Sequence, residues 1–175
     1  MILGLDISTS ITGYTILGLD GKIIEIDHWN FTNKKKFPTL FSKALEVKKQ
    51  LFNFDYVLEH VYIEPALSMF SMGKSSAHTI STLTKFNGIV SWLCYETFGI
   101  EPEYIPAPTA RKKCGITIKR GIKAKEQVIK FLLDNKMLSR VEYTRTGKLK
   151  PHCYDEGDSL VIAMAGFKCL KEKLE

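Results

Sequence analysis

The sequence has few of the features that mark a chain for export, for a membrane or for covalent stapling. No run approaches the ~18 apolar residues of a membrane span. No basic residue precedes the opening apolar stretch, and Asp6 interrupts it, so no secretory signal is expected and the expected location is the cytoplasm. The four cysteines, Cys94, Cys114, Cys153 and Cys169, are scattered singly without CxxC spacing, which predicts reduced thiols and gives no basis for a zinc site. Internal repeats, low-complexity tracts and long linkers are also missing, so one domain spanning residues 1–175 is the expectation.

What is present is ordinary core material and an uneven charge. Hydrophobic residues make up 45% of the 175 positions, and a domain of that size buries roughly 70% of its unfolded surface without staples. The formal net charge is +6. Between Arg111 and Lys125 the chain carries Arg111, Lys112, Lys113, Lys119, Arg120, Lys123 and Lys125 and no acid. Such a block suits a polyanion, although a solvated surface loop would read the same way.

Hydrophobic periodicity orders the elements. Met1 to Asp6 is a strand buried on both faces, and Gly13 to Leu17 and Lys22 to Trp29 flank Asp20-Gly21, a two-residue hairpin signal. An amphipathic helix is expected from Pro38 to about Phe52, then a strand over Tyr56 to Ile63 parallel to the first. A long helix follows from about Lys74 to Phe98, with Gly88 in its middle suggesting a close helix contact. A short strand at Glu103 to Ile105, a helix from about Lys123 to Met137 and a last helix from Asp155 to Lys173 complete the chain. The fold class is therefore α/β, with a mixed five-stranded sheet in which three antiparallel strands precede parallel ones, flanked by helices.

Four acids stand at positions where this architecture places chemistry. Asp6 ends the first strand and Glu64 ends the fourth, at the carboxyl edge of the sheet. Asp155 and Asp158, three positions apart near the start of the last helix, share one face. Taken singly they read better as structural residues, Asp6 as a turn cap and Asp155 and Asp158 as helix-end caps and dipole partners. Together, four carboxylates about 5 Å apart would repel by roughly 3 kcal/mol per pair at an effective dielectric near 20, so a cation must offset them. Mg²⁺ suits such oxygen ligands, and two ions about 4 Å apart can clamp a phosphodiester during hydrolysis.

These acids, in this order, together with "DEGDSLVIAMAG", "YIPAPTARKKCG", "KAKEQV" and the mid-helix "KFNG", resemble the RuvC-type Holliday junction resolvases of the RNase H-like superfamily, in a phage or viral variant. The resemblance covers nearly the whole chain. It implies a nuclease that uses Mg²⁺ or Mn²⁺, two per site, to cut Holliday junctions, and by extension forks and flaps, as a homodimer, with Asp6, Glu64, Asp155 and Asp158 as metal ligands and catalytic residues. Unlike typical members, the chain has Ile7-Ser8-Thr9-Ser10 after the first Asp and a longer segment after Glu64. Phe70 in that segment is an approximate match to a wedge that enters the junction; core or dimer contact is the other reading. Structure-selective rather than sequence-selective cutting is expected.

His152, three residues before Asp155 in the loop "TGKLKPHCYDEGD", is a candidate to orient water or the departing oxygen, or a loop histidine without a role. Arg111, Lys112, Lys113, Lys119, Arg120 and Lys123, with Arg145, Lys148 and Lys150, are candidate phosphate contacts. Two other functions fit parts of the pattern. A ribonuclease acting on RNA–DNA hybrids would use the same acids. An actin-like or sugar-kinase-like phosphotransferase would share "DISTSITG", though the chain has no evident Gly-rich adenosine motif.

Overall fold

The computed structural model describes residues 1–66, 76–138 and 140–174. Five strands, β1 (Ile2–Asp6), β2 (Ile11–Leu17), β3 (Ile23–Asn30), β4 (His60–Ile63) and β5 (Glu103–Tyr104), form one sheet in the order β3-β2-β1-β4-β5. The first three are antiparallel neighbours, while β4 runs parallel to β1 and β5 parallel to β4, as expected for this fold class. The helices are α1 (Leu40–Phe52), α2 (Ala77–Phe98), α3 (Ala107–Lys113), α4 (Ala124–Asp134) and α5 (Pro151–Leu174).

Strand alternation divides the core into two layers. Leu3 and Leu5 of β1, Tyr14 and Ile16 of β2 and Val61 and Ile63 of β4 face Val47 and Leu51 of α1 and Phe86 and Val90 of α2. Ile2, Leu17 and Tyr62 face the other way, onto Val128 and Leu132 of α4 and Leu160 and Val161 of α5. By the same alternation Asp6 and Glu64 belong to the layer of α3, α4 and α5.

Local chemistry sets the joints. Gly21 takes φ 84°, and reciprocal bonds between Gly18 and residues 21 and 22 close the expected hairpin. Between β1 and β2, Thr12 Oγ1 accepts from the Ser8 amide at 3.2 Å and donates to the Ser8 carbonyl at 2.9 Å, so this one hydroxyl closes the turn on the Ser8 backbone. Thr39 and Ser42 cap α1 reciprocally.

Several expectations need correction. Residues 56–59 are not strand, because β1 begins only at Ile2 and offers no ladder before it; instead the Met1 ammonium donates to the Val57 carbonyl at 2.8 Å and to Glu59 Oε1 at 2.9 Å. Gly88 meets no atom within 4 Å of a Cβ built on it, so no close helix contact accounts for it among the described residues. The helix α3 was not anticipated: Pro106 precedes it and Pro108 sits in its first turn. Finally, α5 starts at Pro151, four residues earlier than expected, because proline's fixed φ suits a first turn. His152 is therefore helical rather than in a loop.

Candidate active site

The site is assembled where α5 comes down on the carboxyl end of β1. Two glycines permit the approach. A Cβ on Gly4 would stand 2.6 Å from Ala163 Cβ and 2.7 Å from the Ser159 carbonyl oxygen, and one on Gly13 would collide with the backbone of Asp155. Since Gly13 is the register partner of Asp6, this contact sets the first turns of α5 beside the Asp6 carboxylate. Thr15 and Ser159, both buried, pair their hydroxyls at 2.8 Å and fix the helix along the sheet. Asp155 and Asp158 are the fifth and eighth residues of α5, beyond its first turn, so end-capping does not explain them.

Glu64 arrives from the neighbouring strand. Its amide donates to the Leu5 carbonyl at 3.0 Å, continuing the parallel ladder one step past Ile63. Its own carbonyl accepts from the buried Asn87 side chain of α2 at 2.9 Å. The asparagine of "KFNG" thus anchors the end of β4 from the opposite layer.

The carboxylates are drawn together around an ammonium. Lys125 Nζ, from the first turn of α4, lies 3.0 Å from Asp155 Oδ1, 3.1 Å from Asp158 Oδ2 and 3.8 Å from Asp6 Oδ2. Arg111 of α3 adds a second cation, 3.7 Å from Asp158 Oδ1, and its Nε is buried without a hydrogen-bond partner among the described residues. Asp158 is the most enclosed of the acids, 4% exposed.

The electrostatics follow from burial and crowding. Burial holds the Asp6 carboxyl well above the usual carboxylate range; Lys125 pulls it down, while Glu64, Asp158 and Asp155 push it further up. Glu64 is pushed up to about 7, first by burial and then by Asp158, against the pull of Arg111 and Lys125. Asp155 is raised by burial and restrained by Lys125. On Lys125 itself burial acts downward, but Asp6, Asp158 and Asp155 outweigh it and raise its pKa.

Four acids against two cations leave the cluster short of positive charge. The donor set is all oxygen, it is largely shielded from water, and an ammonium already occupies the place a cation would take. These residues fit hard divalent ions such as Mg²⁺ or Mn²⁺.

The other candidate residues disperse. Arg111 turns into the acidic cluster rather than outward. Lys113 pairs with Glu172 at 2.6 Å, near the opposite end of α5 and ~21 Å along the helix from Asp158. Lys150 pairs with Glu142. Lys112, Lys119, Arg120, Lys123, Arg145 and Lys148 are exposed. His152 is not gathered with the four acids; its ring stacks on that of His28, with centroids 4.3 Å apart. Phe70 lies outside the described residues. The sequence pattern gave Lys125 no separate weight, counting it as one cation of a basic block. The sequence placed it at the start of a helix from about Lys123 to Met137, with nothing to say which groups that helix faces.

Two solved structures can be laid over this arrangement almost end to end. Thermus thermophilus RuvC in complex with a Holliday junction substrate superposes with a TM-score of 0.67, covering 97% of this chain and 94% of that one at 12% identity. This is the RuvC fold. A second Thermus thermophilus RuvC structure gives a TM-score of 0.64, 98% and 96% coverage and 14% identity. No protein-family model matches the sequence, and no curated protein matches it. The likeness to RuvC therefore lies in the path of the backbone, with few shared side chains.

Proposed function

We propose that the chain is one RNase H-like nuclease domain: a metal-dependent, structure-selective endodeoxyribonuclease that hydrolyses phosphodiesters in Holliday junctions and other branched DNA. The observation that supports this most is the meeting of Asp6, Asp155 and Asp158 around Lys125, with Glu64 electrostatically tied to the same cluster. Sequence-distant acids in that arrangement have no evident structural purpose, since their burial is costly.

In this reading Asp6, Glu64, Asp155 and Asp158 hold the divalent ions, two per site. When bound, such ions supply charge neutralisation at the scissile phosphate and lower the pKa of water. Lys125 balances the acids in their absence. Its side chain is 49% exposed, so its ammonium is free to turn toward a phosphate oxygen once the carboxylates are otherwise satisfied. Arg111 holds Asp158 in place. His152 keeps its candidacy only at one remove, through the α5 turn that carries Asp155.

Exposed Lys112, Lys119, Arg120, Lys123, Arg145 and Lys148 supply the phosphate contacts, and contacts of this kind position DNA without reading bases. A homodimer belongs to the same proposal; exposed Trp92 and Tyr95 on α2 are apolar surface available for it. No helix among the described residues is long and apolar enough to cross a membrane.

The test is a substrate panel with Mg²⁺ or Mn²⁺. Nicking of a four-way junction with a linear duplex left largely intact supports the proposal. Preference for an RNA–DNA hybrid would transfer the site to ribonuclease work, and ATP turnover without DNA would indicate a phosphotransferase.

A further inference from the structure

We propose that His28, His152 and Glu156 form a second metal site, for a borderline transition ion such as Zn²⁺ or Co²⁺, distinct from the four-carboxylate cluster. His152 and Glu156 are four residues apart on α5 and so project from one face of it. His28 reaches them from β3. His28 Nδ1 is 2.7 Å from Glu156 Oε1, the two imidazoles stack within 9° of parallel, and one ligand atom from each of the three residues lies within 4.8 Å of the others.

The donor chemistry separates this site from the first. Two imidazoles and one carboxylate favour zinc, cobalt or nickel over magnesium, whose preference is for oxygen alone. Three protein ligands leave one tetrahedral position open. That position has somewhere to face, because a cavity of about 260 Å³ is lined by all three residues together with Asp27, Arg140 and Glu142. Two further carboxylates stand beside the imidazoles and add negative charge that favours a cation there. Asp27 Oδ1 is 3.2 Å from His28 Nδ1, and Glu142 Oε1 is 3.8 Å from His152 Nε2.

Bonds of about 2.1 Å to a tetrahedral ion require donor separations of roughly 3.4 Å, so the widest separation, up to 4.8 Å, must close by as much as about 1.4 Å and the stacked rings must swing toward a common point. The consequence is mechanical. A bound ion would tie the edge strand β3 to α5 one residue from Asp155, bracing the turn on which the acidic cluster depends.

The experiment is Co²⁺ and Zn²⁺ titration of the intact protein in excess Mg²⁺, followed by calorimetry and by the visible absorption of tetrahedral Co²⁺. Wild-type protein and Asp6→Asn should each bind one ion and melt at higher temperature with it. His152→Ala, at the half-buried first turn of α5, and Glu156→Gln should weaken binding at least about tenfold and lose the thermal shift while melting normally without metal. Unchanged affinity in both variants, no binding by the wild type, or loss of the ion in Asp6→Asn would each overturn the proposal. None of these readouts depends on DNA cutting, so failure here and failure of the nuclease reading are distinguishable.

Discussion

Lys125 and Asp155 meet across 3.0 Å, one at the start of α4 and the other in the second turn of α5, and the same ammonium reaches Asp158 at 3.1 Å. A single side chain thus offsets the repulsion that gathering these acids creates. Lys125→Met, which keeps the stem and removes the charge, should destabilise the metal-free protein by about 1–2 kcal/mol, a figure reduced from that of a fully buried pair because the lysine is half in solvent. Mg²⁺ should restore more stability to the variant than it adds to the wild type, as read by thermal melting with and without chelator.

Burial and the neighbouring Asp158 push the Glu64 carboxyl from an ordinary 4.5 up to about 7. A carboxyl raised in this way binds more protons folded than unfolded, so the stability it contributes is complete below about pH 4.5 and is lost as pH rises through about 7. Asp6 is shifted in the same direction. Without divalent ions the melting temperature should fall between about pH 5 and 8, and Mg²⁺ affinity should rise over that range. Glu64→Gln should flatten both curves.

Gly13 lies directly under the Asp155 backbone. Gly13→Ala should push the first turns of α5 off the sheet, at a cost of about 1–3 kcal/mol, and should reduce cutting more than stability alone explains because it separates Asp155 from Asp6. Chemical denaturation and single-turnover cleavage on the same preparation check both effects.

The exposed cations set the salt response. If six of Lys112, Lys119, Arg120, Lys123, Arg145 and Lys148 and their neighbours neutralise phosphates, the logarithm of junction affinity should fall with log salt at a slope of about −5, and replacing Lys119, Arg120 and Lys123 by Ala should reduce the slope by about 3. Binding isotherms over a salt series measure it. A flat response would remove this surface from the DNA path.

The acids were legible in the sequence because each marks the end of a strongly patterned element: Asp6 closes an apolar strand, Glu64 another, and Asp155 and Asp158 share a helix face. The antiparallel meander of β1 to β3 and the parallel pairing of β4 with β1 followed from the same apolar runs and from the Asp20-Gly21 turn. Lys125 and His28 were not legible in this way. A lysine in a basic block and a histidine on an edge strand acquire meaning only from what lies across from them, 30 residues away for Lys125 and Asp155 and 128 for His28 and Glu156. Residues 56–59 misled because their β-rich composition expresses propensity, whereas a strand needs a partner and β1 ends the ladder at Ile2. Proline at 151 was the overlooked signal for the early start of α5.

The most direct measurement is cleavage and binding of a four-way junction by Asp6→Asn alongside Mn²⁺ binding followed by electron paramagnetic resonance. Asp6→Asn should lose Mn²⁺ at the acidic cluster and lose cutting by several orders of magnitude, while holding the junction as tightly as the wild type. Undiminished cutting by Asp6→Asn, or a wild-type protein that binds neither Mn²⁺ nor the junction, would contradict the assignment of these four acids to divalent-metal cleavage of branched DNA.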